Sequence, residues 1–474
     1  MKVWKGRVSQ ADRQESPYRY LPFEVPAGIS RIDVSYEFDS ADGTILDLGL
    51  LDQDAAQFPS TTGFRGWSGS ARRSIFVSTD RATPGYLPGD IKAGTWNVML
   101  GLARVSPGGA DYRVEVRFST AEKSTAEDRN DVPETPHAVG PRWYRGDLQS
   151  HTHYSDAGGS LVDLIQAARD RQLEFLAVTD HNTHAHHREL TERNGPALLL
   201  VPGEEITTYN GHANVWGVDG WVDFRFQTPA DLERLVAHVH ERGGLFSINH
   251  PKVTPDCIGC DWEYPIPEGA DSLEAWQGPW PARNWDSLQR YDEQLRSGRR
   301  LTLVGGSDRH QPGYPDSDPP ALRVGSPTTW LYLERPDTTA VLSAIKAGQA
   351  YVSEGPHGPR LELEIAGAGM GATVESDGPL PARARVTRAA GDQLHWIGAG
   401  GILRTVEIDA ADFVDEWPAP ADSPYIRIEV IAAASLPGLL AELKSFAPAM
   451  LAEASRHPWR RAISNPVYVR PAEK

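Results

Sequence analysis

Cysteine is nearly absent from this sequence. Only Cys257 and Cys260 occur among 474 residues, which excludes the disulfide framework of a small secreted domain. Runs of about eighteen apolar residues are also missing, so neither a membrane span nor a membrane partner is expected. The opening MKVWKGRVSQADRQ lacks the apolar core of a secretory signal. We therefore expect a cytoplasmic protein, with a secreted protein whose signal has been removed as the alternative.

Positive charge is scarce as well. Lysine and arginine number 47 against 64 aspartates and glutamates, which gives a formal net charge of −17. So acidic a chain repels phosphate backbones, and we expect no non-specific binding of nucleic acid. Neither the Gly-x-Ser-x-Gly motif of serine hydrolases nor the Gly-x-x-x-x-Gly-Lys-Ser/Thr phosphate loop occurs. A small-molecule substrate is the expected partner.

The pattern of the outer regions is that of β-structure. Residues 1–120 contain short alternating runs such as RIDVSYEF and DYRVEVRF between turn residues, which predict an N-terminal β-sandwich. Residues 121–142 are polar and contain proline, so they predict a linker. Alternating runs return in 358–474, which we predict to be a C-terminal β-rich domain with a helical insert at 435–455.

Between these regions, residues 143–357 alternate apolar strands with helical patterns. A helix is predicted to begin at Ser160, because Ser160 and Asp163 have the spacing of a capping box. Another is predicted over 229–242, where apolar residues recur at helical spacing. Repeated β-α units predict a parallel sheet, open or closed into a barrel.

Acidic residues and histidines stand where several of these predicted strands end. They are His151, Asp156, Asp180, His181, Glu204, Glu205, His212, His250, Asp308 and His310. In a β/α barrel the carboxyl ends of the strands converge on one face. One such residue usually caps a helix or satisfies a loop, but this many favour a metal site. Imidazole and carboxylate without thiolate suit Zn²⁺, Mn²⁺ or Fe²⁺.

The order of the motifs resembles that of the polymerase and histidinol phosphatase (PHP) superfamily of metal-dependent hydrolases. The matching segments are DLQSHTHYSD, TDHN, GEEIT, GHANVWG, NHP and GSDRH, within 143–357. The flanking β segments and the terminal SNPVYV resemble the CehA/McbA branch, which includes carbamate hydrolases. The resemblance implies an α/β fold: a distorted (β/α)7 barrel, flanked by N-terminal and C-terminal β-sandwich-like segments, with two or three divalent metal ions at its mouth.

The resemblance also implies which residues bind the metals. One ion would be held by Gln149, His151, Glu205 and Asp308, a second by Glu205, His212 and His250, and a third by Asp156, His181 and His310. Gln149 stands where the family has histidine. Because an amide oxygen is a weak ligand, Gln149 is expected to be a weak ligand or a supporting residue. The same role is expected of Asp180.

The alignment requires a choice of register at DLQSHTHYSD. Gln149 and His151 are two residues apart, so both point to one face of a strand. His153 follows the end of that strand, and we expect it outside the ligand set. Glu205 is chosen over Glu204 because Glu204 should point to the opposite face.

Other conspicuous residues receive less specific interpretations. We expect His184, His186 and His187 on a solvated loop or helix start, and His238 and His240 on the outer face of helix 229–242. Trp262, Trp276, Trp280 and Trp285 are either core residues or an apolar substrate wall. The segment containing Cys257 and Cys260 is predicted to line the pocket, with a redox role as a minor alternative.

The predicted chemistry is hydrolysis by a water molecule that the metals activate. Phosphoester hydrolysis is the leading interpretation, with Lys252 and Arg309 as the side chains that bind the phosphate anion. Hydrolysis of a carbamate or carboxylic ester is the alternative. A metal-free binding module is a third hypothesis, supported only by the replacement at Gln149.

Overall fold

The computed structural model describes residues 1–120, 139–254, 257–311, 318–433, 453–454 and 456–472. Residues 121–138 of the predicted linker, and nearly all of the predicted insert at 435–455, lie outside these ranges. The fold is mixed α/β and contains many strands and few helices.

The described strands and helices are numbered separately in chain order. The strands are β1 Lys2–Val8, β2 Tyr18–Val25, β3 Arg31–Phe38, β4 Ile45–Leu51, β5 Phe64–Trp67, β6 Ser74–Ser78, β7 Gly94–Arg104, β8 Ala110–Ser119, β9 Arg142–Asp147, β10 Phe175–Val178, β11 Leu199–Thr208, β12 Gly211–Trp216, β13 Leu245–Ile248, β14 Ser272–Gln277, β15 Thr302–Gly306, β16 Thr328–Leu333, β17 Ala350–Ser353, β18 Arg360–Ile365, β19 Thr373–Glu375, β20 Leu380–Thr387, β21 Gln393–Gly398, β22 Gly401–Glu407, β23 Asp412–Ala419, β24 Tyr425–Ile431, β25 Arg460–Ser464 and β26 Val467–Arg470. The α-helices are α1 Gln10–Glu15, α2 Leu161–Asp170, α3 His187–Arg193, α4 Pro229–Glu241, α5 Asn284–Arg296 and α6 Thr338–Lys346.

The N-terminal segment forms two antiparallel sheets, each with four strands. Their orders are β1-β8-β3-β6 and β2-β7-β4-β5. The apolar side chains that alternate along both sheets, such as Val34 of β3 and Val98 of β7, meet in one core. The run RIDVSYEF is confirmed as β3, whereas β1, β2 and β5 had not been predicted.

The central segment contributes the strand order β15-β14-β13-β12-β11-β10-β9-β16-β17, and the same sheet continues through β25-β24-β21-β22. Strands β9, β10 and β11 run parallel, as do β13, β14 and β15. Strand β12 is antiparallel to both of its neighbours, and β16 is antiparallel to β9 and β17. The expectation of a parallel sheet is therefore confirmed for these two sets of strands and wrong at β12 and β16. The reason is local: Tyr209 and Asn210 join β11 to β12 directly, without the helix that a parallel connection requires.

Both helices predicted from their patterns are present. Helix α2 has a capping box in which the Ser160 side chain accepts from the Asp163 N–H, and its buried residues, Leu161, Leu164, Ile165 and Ala168, lie on one face. Helix α4 has an equivalent box made by Thr228 and Asp231. Each box satisfies N–H groups that a helix start otherwise leaves unpaired.

Side chains link β15 to strands that lie far from it in the sheet order. The Asn465 amide accepts from the Leu303 N–H of β15 at 2.7 Å and donates to the carbonyls of Leu303 and Ala350, each at 2.9 Å. The Thr329 hydroxyl of β16 accepts from the N–H of Gly305 at 2.9 Å and donates to its carbonyl at 2.7 Å. These amide and hydroxyl groups satisfy backbone groups that no neighbouring strand reaches.

The N-terminal segment packs directly on the central one. Tyr18 and Trp67 share a core with Phe224 of the central segment, and Phe64 stacks on Trp221 at 4.5 Å between ring centroids. The four tryptophans at 262, 276, 280 and 285 are buried in this same core, so of the two interpretations left open, the core is correct. No helix in the described part of the chain is long and apolar enough to cross a membrane.

Candidate metal centre

Histidines and carboxylates from several strand ends converge at one place in the central segment. Three groups there could each hold a metal ion: His151, Asp156, His181 and His310; Glu205, His212 and His250; and His151, Glu205 and Asp308. Within each group the ligand atoms lie within 4.8 Å of one another. All eight residues predicted as principal ligands belong to these groups. The grouping differs from the expected one in that His151 also joins Asp156, His181 and His310.

Glu205 is the centre of the arrangement. Its Oε1 lies 3.4 Å from Nε2 of His250 and 3.5 Å from Nδ1 of His212. Its Oε2 lies 2.9 Å from Nδ1 of His181 and 3.4 Å from Nε2 of His151. A carboxylate with histidines beside both oxygens could be shared by two metal ions.

The other two carboxylates lie to the sides of Glu205. Asp308 Oδ1 is 2.9 Å from Nε2 of His151. Asp156 Oδ1 is 3.3 Å from Nε2 of His310 and 3.5 Å from Nε2 of His181. The two imidazole Nε2 atoms are themselves 3.1 Å apart, so both point towards the same small volume.

The backbone is strained at the corners that present these side chains. His250 has φ 27°, Asp308 has φ 51° and Asn182, next to His181, has φ 53°. Non-glycine residues seldom adopt such angles, and they tend to occur where a site imposes them. Each of these residues lies shortly after the carboxyl end of a strand, where the ligand candidates meet.

The carboxylates and imidazoles shift one another's pKa. Burial alone would raise the pKa of Asp156, but the imidazoles of His181 and His310 hold it far below its usual range. Burial would lower the pKa of His250, but its hydrogen bond with Glu205 and the charge of Asp308 raise it to about 9. Metal ligands must be deprotonated, so a divalent cation bound by these groups would take the place of the imidazole protons that balance the carboxylates.

Several buried acceptor and donor atoms here lack hydrogen-bond partners among the described residues. They include Oε2 of Glu205, Nε2 of His212, Oδ1 of Asp308 and Oε1 of Gln149. Leaving such atoms unsatisfied costs about 1–3 kcal/mol each, unless a ligand binds them. Imidazole nitrogen and carboxylate oxygen suit Zn²⁺, Mn²⁺ or Fe²⁺, so the residues present fit divalent metal ions.

Gln149 reaches this centre and His153 does not. The Gln149 side chain is fully buried, and its Nε2 donates to Oε1 of Glu205 at 3.0 Å. His153 stacks on Tyr154 at 4.9 Å between centroids and belongs to none of the three groups. The placement is that expected from the register in which Gln149 and His151 share a face.

Asp180 supports the loop that carries Asp156. It accepts hydrogen bonds from the N–H and the hydroxyl of Thr152, at 2.8 and 2.7 Å, and from the Ser155 hydroxyl at 2.6 Å. It is absent from the three groups. Glu204 points away from the centre and accepts from the Val222 N–H at 3.1 Å.

The two cations proposed for the substrate lie in different places. Lys252 is buried and lines the cavity described below, and its Nζ donates to Oε1 of Gln277 at 2.7 Å. Arg309 is also buried, but it contacts the carboxylate of Asp318 and does not line that cavity.

The expectation of a solvated His184, His186 and His187 was partly wrong. Helix α3 does begin at His187, but the His186 ring is fully buried and lies 3.1 Å from the carbonyls of Val178 and Gly203. The N-terminal segment contacts this corner, since the Thr183 hydroxyl donates to the Gly85 carbonyl at 2.9 Å, and sequence spacing gave no indication of that contact. Along α4, His238 is half-buried and His240 exposed, with His240 Nε2 2.8 Å from Asp271, as expected for an outer face.

Several polar residues that contact the centre were missed. Asn249 Nδ2 donates to Oε1 of Glu205 at 2.7 Å, and Gln277 Nε2 donates to Oδ2 of Asp308 at 2.8 Å. Glu274 accepts from the His250 N–H at 3.0 Å. Asn249 immediately precedes His250 and could have been suspected; Gln277 ends β14 and could have been found only by counting amides as well as acids.

A cavity of about 910 Å³ opens beside the centre. Ligand candidates such as Asp156 and His250 form part of its lining, and Asp47, Trp67 and Arg104 of the N-terminal segment form another part. Arg72 also donates to the Ser155 carbonyl at 2.8 Å, next to Asp156. The site is therefore shared by two segments that the sequence had separated.

Cys257 and Cys260 form a disulfide, and both line this cavity. The carbonyl of Cys260 lies 2.9 Å from Nδ1 of His250. The hydrogen bond fixes the ring so that Nε2 faces Glu205. A partner on the far nitrogen is a regular feature of metal-binding histidines.

Comparisons with known proteins give partial matches. No protein-family model matches the sequence. Over 65 residues, the chain is 43% identical to the 5'-3' exoribonuclease Rnm of Salmonella typhimurium and to that of Escherichia coli. The match spans 13% of this chain and 22% of those relatives, so it covers about a fifth of their length.

Two solved structures match this chain in part and share little sequence with it. One is a two-domain protein from Bacteroides vulgatus that contains a predicted PHP-like metal-dependent phosphoesterase. It is 15% identical, with a TM-score of 0.35 over 65% of this chain and 95% of that one. Another is an amidohydrolase from Chromobacterium violaceum with bound sulfate and no metal. It is 15% identical, with a TM-score of 0.25 over 38% of this chain and 93% of that one.

Proposed function

We propose that this chain is a metal-dependent hydrolase of the PHP superfamily, in its CehA/McbA-like branch. The observation that carries the proposal is the convergence of three overlapping ligand groups on Glu205 and His151. The order of the motifs supports the family. We further propose that strands β9 to β17 form its distorted (β/α)7 barrel, flanked by β-sandwich-like segments.

The chain supplies ligands for two or three divalent ions. His151, Glu205 and Asp308 would hold one, with Gln149 beside them; Glu205, His212 and His250 a second; and Asp156, His181 and His310 a third. When bound, such ions lower the pKa of water and stabilise negative charge on the substrate. Asn249 and Gln277 hold the carboxylates Glu205 and Asp308 in place.

We propose a phosphoester as the substrate, either a diester or a monoester. Lys252 supports this choice, because it brings a cation into the cavity within two residues of His250. Burial lowers the pKa of Lys252 to about 8, so the ammonium form still prevails at pH 7. The relatives named exoribonucleases, over the short segment that they share, are consistent with phosphodiester chemistry. Arg309 is not carried into the proposal, because it faces Asp318.

Hydrolysis of a carbamate or carboxylic ester is the second candidate. The apolar part of the cavity lining, which includes Ile45, Ala103 and Ile258, favours it. A metal-free binding module is less well supported, because the buried atoms of Glu205, His212 and Asp308 would then stay unsatisfied.

Metal analysis and a substrate panel test the proposal. Protein purified without chelator is expected to contain two or three equivalents of divalent metal and to release nitrophenol from a nitrophenyl phosphomonoester or phosphodiester. Glu205→Gln and His250→Ala are expected to reduce turnover by at least a thousandfold at an unchanged circular dichroism spectrum, because each removes a ligand. Near-normal turnover in either variant at normal metal content would reject the site. Faster cleavage of nitrophenyl carbamates or acetates than of all phosphoesters would select the second candidate.

A further inference from the structure

The N-terminal wall of the cavity contains a carboxylate without a cationic partner. Asp47 of β4 is buried, with 7% of its surface exposed, and it lines the cavity. None of the ion pairs in the described part of the chain involves it. The side chain that contacts it is Tyr209, whose hydroxyl donates to Oδ2 at 2.6 Å.

The contact between Asp47 and Tyr209 depends on a glycine. Gly101 of β7 pairs with Asp47 across the sheet. A Cβ at Gly101 would lie 2.1 Å from the Tyr209 hydroxyl, closer than the two atoms can approach, and 3.0 Å from the Asp47 Cβ, which is a tight contact. The absence of a side chain at Gly101 therefore lets Tyr209 of the central segment reach Asp47 of the N-terminal segment.

The position of Tyr209 sets the distance from Asp47 to the metal centre. Tyr209 directly follows β11, four residues after Glu205, at the tip of the hairpin with β12. At about 3.3 Å per residue, the Cα atoms of Glu205 and Tyr209 are roughly 13 Å apart. Glu205 and Thr207 are two apart on β11 and face the same side, and Thr207 and Tyr209 both line the cavity, which extends from the ligand candidates to Asp47.

A buried carboxylate without a cation is costly, and proteins seldom leave one uncompensated. Burial raises the pKa of Asp47 to about 6, so the group is still charged at pH 7. Of the cations that line the cavity, Arg104 forms no ion pair with Asp47 among the described residues, and the other two are engaged elsewhere. Lys252 donates to Gln277 and Asn284, and Arg283 pairs with Asp286 and with Glu453.

We propose that Asp47, held by Tyr209, binds an ammonium group at the end of the substrate that is remote from the metal centre. This inference deepens the proposed function and rests on it, because it assigns the substrate class of the same cavity. The substrate then carries an anionic or ester group at the metals. It carries a primary or substituted amine at the Asp47 end of the cavity. Asp47 determines specificity and does not take part in bond cleavage.

Phosphonates of graded length test the assignment directly. They contain a P–C bond in place of the ester, so they bind without reacting. Calorimetry on the manganese-loaded protein compares aminoalkylphosphonates, hydroxyalkylphosphonates and alkylphosphonates with chains of two, four, six and eight carbons. The amino series is expected to bind at least tenfold more tightly than the other two, with a maximum at an intermediate length.

Variants separate recognition from structural support. Asp47→Asn is expected to abolish the amino preference at every length and to leave the affinity for alkylphosphonates within threefold of the wild type. Gly101→Ala and Tyr209→Phe are expected to reduce the preference in part, because they displace or release the Asp47 side chain. Phe64→Leu is the matched control: it loosens the same junction between segments at Trp221, outside the cavity, and should keep the preference.

The outcomes distinguish this inference from the proposed function. If alkylphosphonates and aminoalkylphosphonates bind equally, or if Asp47→Asn retains the preference, the ammonium site is rejected while phosphoester hydrolysis stands. If no phosphonate binds at all, the proposed function fails at the metals. Binding of hexylammonium against 1-hexanol then decides the ammonium site alone, with a tenfold loss in Asp47→Asn expected and equal binding in both proteins overturning it.

Discussion

Gln149 brings a neutral amide to a centre made of imidazoles and carboxylates. Its Nε2 donates to Oε1 of Glu205, and its Oε1 has no hydrogen-bond partner in the described residues. The amide therefore donates to the Glu205 carboxylate through its nitrogen and leaves its oxygen for a cation. An amide oxygen is nonetheless a weaker ligand than an imidazole nitrogen.

We predict that Gln149→His increases metal retention. After mild chelation, the variant should hold more metal per chain than the wild type, because an imidazole replaces a weak ligand beside His151. Elemental analysis of dialysed protein measures this. His153→Ala is the matched control and should retain as much metal as the wild type. Loss of metal in His153→Ala equal to that in His151→Ala would show that the register is wrong.

Lys252 is held in place by amides. Its Nζ donates to Gln277 and to Asn284, and Gln277 in turn donates to Asp308. Lys252→Met is predicted to raise KM for a nitrophenyl phosphate at least tenfold and for a neutral nitrophenyl ester less than threefold, because methionine keeps the length and removes the charge. Steady-state kinetics on both substrates measure the two ratios. Equal increases would mean that Lys252 has a structural role only.

At the level of single residues, the sequence predicted much of the centre. Strand-end position selected Glu205, His250 and Asp308, because acids and histidines after apolar strands have few other reasons to occur together. Amides such as Gln277 were not selected, because asparagine and glutamine are common in any loop. The burial of His186 depends on chain that is distant in sequence, which no local pattern reports.

Among the elements, β15 depends on side chains for part of its hydrogen bonding. Asn465 accepts from the Leu303 N–H and the Tyr291 hydroxyl, and donates to the carbonyls of Leu303 and Ala350. We predict that Asn465→Ala lowers the free energy of unfolding by about 3 kcal/mol, because several buried backbone groups lose their partner at about 1–3 kcal/mol each. The shift of the urea midpoint measures this loss.

A substitution on an exposed helix provides the comparison. Thr191→Ala in α3 removes a hydroxyl whose hydrogen bond goes to the His187 carbonyl of its own helix, so the free energy of unfolding should change by less than about 0.5 kcal/mol. An effect of Asn465→Ala as small as that of Thr191→Ala would show that water replaces the lost hydrogen bonds.

The order and type of the long elements could be predicted, but their direction could not. Helices α2 and α4 have both an apolar face and a cap in the sequence, so their starts were predicted correctly. Strand β12 is short and wholly buried, so its sequence pattern does not indicate whether it runs parallel or antiparallel to its neighbours. The direction follows from the tight Tyr209–Asn210 connection, which a reader of the sequence would have to recognise as a hairpin.

At the scale of the whole molecule, the cavity belongs to two segments. Asp47 and Trp67, which line the cavity, come before residues 121–138 in the chain. The ligand candidates that line it come after them. Composition and periodicity describe each segment by itself, so the sequence could predict a metal-binding segment and a β-rich segment but not their shared surface. Packing of Tyr18 and Trp67 against Phe224 creates that surface.

The sheet order also has a consequence for synthesis. Strand β25 lies between β17 and β24, and Asn465 follows it to reach β15. While the ribosome is still translating residues before 460, β17 has an unpaired edge and the Leu303 N–H has no amide to bind. Unpaired strand edges are the usual starting points of aggregation. A chain released before residue 460 would keep this edge of β17 unpaired, and it should depend on the chaperones of its host more than a chain that includes β25.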